Sequence, residues 1–177
     1  MKRLIQQVLA ILLIGGTLRA QVRSSTALGE TGLARAVATR AISNQLDLAH
    51  LRRVRRASPD SVSCAAGVAV VQSFSLLPGV ASGDTLLIPV RFEVLGAVAS
   101  SEASFMFLPS PDYLRADSAA VVLVRRRGAW VVESIRNASA RRHASVAAAR
   151  AFFRLPADER QRLDSASRAA GSSRPPA

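Results

Sequence analysis

Between residues 27 and 57 apolar residues recur at helical spacing: Leu33, Ala34, Val37, Ala38, Ala41, Ile42, Leu46, Ala49 and Leu51. At 100° per residue they cover a wide arc and leave Arg40, Ser43 and Asp47 in the remaining stripe, which predicts one long helix lying across a sheet. The helix runs into Arg52-Arg53-Val54-Arg55-Arg56, and Ser58-Pro59-Asp60 stops it with turn chemistry. From Val68 to Leu77 the period shortens towards two, predicting a strand, and residues 78–84 read as a connector.

Thr85 to Ala99 alternates most clearly. Leu86, Ile88, Val90, Phe92, Val94 and Val98 fall on one face, with Arg91 and Glu93 on the other. Gly96 within so long a strand predicts a bulge or bend. Phe105 to Leu108 reads as a short strand, and Ala119–Arg126 and Ala129–Arg136 as two more, joined by a tight turn at Arg127-Gly128. Residues 144–155 then read as helix, and Pro156-Ala157-Asp158-Glu159 as the first turn of another that continues to about Arg168.

Helix, meander and terminal helices together predict an α+β domain. A long N-terminal helix packs on a curved antiparallel sheet of three to five strands, and C-terminal helices follow. Length allows one domain over residues 21–170, with residues 171–177 as a disordered tail.

The N-terminus changes the picture. Lys2 and Arg3 precede an unbroken apolar run from Val8 to Ile14, Gly15-Gly16 breaks it, and Ala20 suits the residue before a cleavage. That order is a secretory signal peptide over residues 1–20, implying a periplasmic or secreted protein whose mature chain begins near Gln21. The alternative is a segment left uncleaved as an anchor, although the run is shorter than the roughly 20 residues of a span.

The chain has 24 Lys+Arg against 12 Asp+Glu, a net charge of +12, and Lys2 is its only lysine. So basic a chain usually suggests nucleic acid, but the export signal and the lack of aromatic residues among the arginines argue against it. Arg52, Arg53, Arg55 and Arg56 form instead a candidate patch for an anionic membrane or envelope polymer. The single cysteine, Cys64, allows no internal disulfide and reads as a small buried residue, with a catalytic thiol or an intermolecular bond as alternatives. With His50 and His143 as the only histidines there is no metal-ligand cluster, so no metal or cofactor is expected.

Catalytic motifs are equally sparse: there is no nucleophile elbow, paired-histidine zinc helix or phosphate loop. His50, three residues after Asp47, could form an acid–base pair with it, and His143 beside Arg141 and Arg142 reads as solvent-exposed. Trp130 is expected to be buried against the first helix near Val37 or Ala41.

Within Thr85 to Arg136 stand Ile88-Pro-Val-Arg-Phe-Glu-Val-Leu-Gly96, a long strand closing on glycine, and the hairpin Val121-Val-Leu-Val-Arg-Arg-Arg-Gly-Ala-Trp-Val-Val-Glu133. With these motifs the stretch resembles the cone-shaped α+β proteins related to nuclear transport factor two, a superfamily with SnoaL-like cyclases and ketosteroid isomerases. It implies a pocket in the cone, with Ile88, Val90, Phe92, Val94 and Trp130 as lining candidates, and no particular activity. The reading that follows is an exported, non-catalytic module binding a small apolar ligand or a protein partner, with room for a homodimer. A small isomerase, cyclase or hydrolase is the alternative, and a basic protein held at the envelope surface a third.

Overall fold

The computed structural model describes residues 31–57, 67–100, 104–110, 117–138 and 142–172. The signal segment, Cys64, the Ser58-Pro59-Asp60 stop, Tyr113 and residues 173–177 lie outside the described residues. The chain forms two compact units, Met1–Ala36 and Val37–Ala177. Of the first, residues 31–36 are described, as helix; the second holds the sheet.

The fold is α+β, but its sheet is larger and more mixed than the sequence predicts: seven strands among the described residues, one of them parallel. β3 (Thr85–Ser100) is the spine. On one side it pairs with β1 (Val68–Leu76) and β2 (Val80–Ser82), on the other with β4 (Phe105–Pro109) and β5 (Ser118–Arg126), all antiparallel. β6 (Ala129–Asn137) pairs with β5 at one edge. β7 (Arg142–Ser145) pairs parallel with β1 at the other. The supposed connector at 78–84 is thus half of a hairpin, closed at Gly83 with φ of 57°. The expected turn at Arg127-Gly128 has φ of 52° and 80°, the pair of positive angles that matches strand twist in a two-residue hairpin.

Gly96 marks the expected bend. The β1–β3 register shifts beside it, between Val70 and Val71, and β3 changes partner from β5 to β4 across this stretch. A Cβ at Gly96 would stand 2.2 Å from the Leu108 carbonyl oxygen and 2.9 Å from the Phe107 ring, so the two strands approach this closely only over glycine.

Within the second unit, helical residues pack on both faces of the sheet. The predicted single helix is two: α1 over residues 31–45 and α2 (Leu48–Ala57). Asp47 divides them, because its Oδ1 accepts the Leu48 N–H at 2.7 Å and its carbonyl accepts from His50 and Leu51. In α1, Ala38 and Ile42 are fully buried. Gln45 Nε2 reaches Asn137 Oδ1 at 3.5 Å, so the end of α1 lies beside β6.

On the other face, Leu51 of α2 joins Val68, Val70, Val98 and Phe107, with α3 (Val146–Phe152) and α4 (Ala157–Ser172) closing the cluster through Ala148, Ala149 and Leu163. Ser145 ends β7 and starts α3 by accepting the Ala148 N–H at 3.2 Å. Buried Glu159 of α4 accepts the Phe107 N–H of β4 at 2.8 Å and is held from behind by Arg162 at 3.0 Å. α4 ends at Ser172, beyond the expected Arg168 and inside the supposed tail.

Two placements correct the sequence reading. Trp130 is half-buried, because it stands opposite Arg125 at the mouth of the edge hairpin. His143, expected in solvent, is only 3% exposed, because β7 inserts along the free edge of β1 and sets His143 in register with Ala69.

Candidate ligand-binding cleft

Strand pairing sorts the side chains of β3 into two sets. Pro89 stands opposite Ala120, which in turn stands opposite Arg136; Arg91 stands opposite Ser75 and Ser118; Glu93 stands opposite Ser73. Residues directly opposite across antiparallel strands share a face, so these side chains form one surface. The Ile88, Val90, Phe92 and Val94 side chains alternate to the other face, where all four are buried. There they meet Ala119 and Val121 of β5, both buried as well.

An open cleft of about 1150 Å³ lies against the sheet, lined by β1, β3, β5 and β6 and, at one end, by Ala170 and Gly171 of α4. Its lining is mostly apolar and includes Leu77, Pro89, Leu95 and Ala120, with Arg91, Glu93 and Arg136 as its exposed charges. Ser73 donates to Glu93 Oε2 and fixes that carboxylate. Arg91 and Arg136 sit two strand spacings apart and two residues out of line, about 12 Å. Such a surface can hold an apolar body while a guanidinium takes its anionic or polar end. Of the pocket residues expected from sequence, Val90, Phe92 and Val94 border the cleft although their side chains turn to the buried face, whereas Ile88 and Trp130 do not border it.

Beside the cleft is a pair that sequence reasoning missed. His143 Nε2 is 3.4 Å from Asp117 Oδ2, with both side chains buried, and the Phe92 ring stacks on the imidazole at 4.5 Å and 27°. The Phe92 N–H donates to the Asp117 carbonyl, fixing the segment just before β5. β5 and β7 are three strand positions apart, about 14 Å along a flat sheet. Only a curled sheet brings their side chains together. No linear signal joins Asp117 to His143, since the pairing exists only through the sheet.

His50 belongs elsewhere. It lines a pocket of about 560 Å³ with Asp47, Gln45, Arg53 and Ile135. Its pKa is lowered, first by burial and then by the charges of Arg53 and Arg142, the reverse of what a carboxylate partner would do. Asp47 instead accepts the Leu48 N–H at the start of α2. The sequence-predicted arginine patch is also split. Arg53 faces the His50 pocket, whereas Arg52, Arg55 and Arg56 line another pocket with Phe152 and Arg154.

Among the described residues no three His, Cys, Asp or Glu side chains group as a metal site requires, and no helix is long and apolar enough to cross a membrane. No family model, curated protein or solved structure matches the chain.

Proposed function

We propose that this chain is an exported, non-catalytic binding module that holds a small, mainly apolar ligand in the cleft over Pro89, Arg91 and Leu95. The observation that carries the reading is a large open cleft with a mostly apolar lining and two arginines on one surface. Kinship with the cone-shaped proteins rests on sequence resemblance alone, and export on the Lys2-Arg3 start and the apolar run to Ile14. Titration of the full chain with a fluorescent fatty acid tests the binding. Ala120→Trp, which fills the cleft, and Arg91→Ala are expected to weaken binding at least tenfold, while the distant Arg126→Ser leaves it unchanged. Equal binding by all three would remove the cleft from consideration.

A second reading, an isomerase, cyclase or hydrolase, is favoured by the buried Asp117–His143 pair, because a carboxylate 3.4 Å from an imidazole is a placement that suits proton transfer. Turnover of a panel of esters and enolisable ketones that vanishes in Asp117→Asn, with fatty-acid binding retained, would establish it over the module.

A further inference from the structure

α2 and α3 bring together a group of arginines that one helix does not contain. Arg52, Arg55 and Arg56 come from the last turns of α2, and Arg154 follows α3; with Ala151 and Phe152 they line a pocket of about 520 Å³. All four arginines are exposed, and none has a carboxylate within ion-pair distance among the described residues. Arg55 stacks over the half-buried Phe152 ring at 5.6 Å, which holds its guanidinium plane at the pocket wall. The carbonyl end of α2 favours cations in its last turn, which accounts for Arg55 and Arg56 but not for Arg154 arriving from another element. Spacings of three and four residues within α2 place like charges side by side, which is unfavourable.

A lone carboxylate would neutralise one of these four cations. A phosphate monoester carries close to two charges and three acceptor oxygens, and guanidinium forks bind such oxygens in pairs. Phe152 adds an apolar wall beside the anion. We infer that the pocket between α2 and α3 is a binding site for a phosphate monoester attached to an apolar group, independent of the cleft on the sheet.

The same chemistry occurs in a free aryl or alkyl phosphate and in a phosphatidic acid headgroup, and two probes separate these sources. The first is 1-naphthyl phosphate in solution, with 1-naphthoate as the singly charged comparison. The second is vesicles containing phosphatidic acid, compared with vesicles brought to equal charge by phosphatidylglycerol. Arg154→Ser and Arg55→Ser are each expected to weaken binding about tenfold. Arg53→Ser, with the same charge change in the same run of sequence but facing the other pocket, should change it less than twofold. These are exposed positions, so melting temperatures should stay near wild type; should either variant melt early, Arg52→Ser replaces it. Binding of naphthyl phosphate over naphthoate with this order of variants supports the site with a soluble ligand. Preference for phosphatidic acid vesicles alone, with the same order, supports it with a lipid headgroup. Equal losses in Arg53→Ser and Arg154→Ser, no preference for the phosphate, or no binding to either probe would overturn it.

Discussion

The two faces of β3 use the same backbone for opposite ends. Ile88, Val90, Phe92 and Val94 point to a face on which every one of them is buried. Pro89, Arg91 and Glu93, one residue out of step, point to a surface left open as a cleft. The apolar face is occupied by the protein's own side chains, whereas the polar face keeps room for something else. In this strand hydrophobicity marks the core, and the open space lies where the alternation is polar.

The bend where β3 changes partners is where a substitution costs most. Gly96→Ala would drive a Cβ into the Leu108 carbonyl oxygen, a backbone atom that cannot swing away. A destabilisation of about 3 kcal/mol or more is expected in chemical denaturation. Ile88→Ala deletes a buried side chain opposite Val121 and should cost about 2–5 kcal/mol. Trp130→Ala should cost about 2 kcal/mol, below the figure for a fully buried Trp, because the ring is half-exposed. Arg91→Ala on the open face should change stability by no more than about 0.5 kcal/mol, although it weakens ligand binding. A large loss there would mean that the polar face is structural too.

The smallest effect concerns pH. The folded state holds His50 below its ordinary pKa near 6.5, so the unfolded chain binds the extra proton first. The contribution is present above pH 6.5 and is lost as pH falls below it towards the folded pKa. His50→Gln should therefore flatten the melting temperature between pH 7 and pH 5 relative to wild type.

The legible parts of this fold are those specified by neighbours in sequence. β3 announces itself because its alternation runs from Leu86 to Val94, and the β5–β6 hairpin because Gly128 supplies a positive φ. Gly96 foretold a bend for the same local reason. β7 is different: Arg142-His143-Ala144-Ser145 has no period of its own and is a strand only because β1 offers an open edge. The break between α1 and α2 was masked by an apolar arc that continues through Leu46, Ala49 and Leu51, while the Asp47 side chain bonds the first N–H of α2. The cleft left no signature, since it depends on which part of the sheet the helices leave uncovered. The same holds for Arg154, whose partners are about a hundred residues away in sequence.

The parallel pairing of β7 also imposes an order in time. Val68 to Val71 cannot complete its hydrogen bonding until Arg142 to Ser145 has been made, more than seventy residues later. During that interval a Val-Ala-Val-Val edge is bare, a template on which a second chain could add a strand. A chain emerging N-terminus first spends most of its emergence in that state. Its safety during synthesis then depends on whatever shields this edge, and a fragment stopping before Arg142 should associate with itself rather than fold.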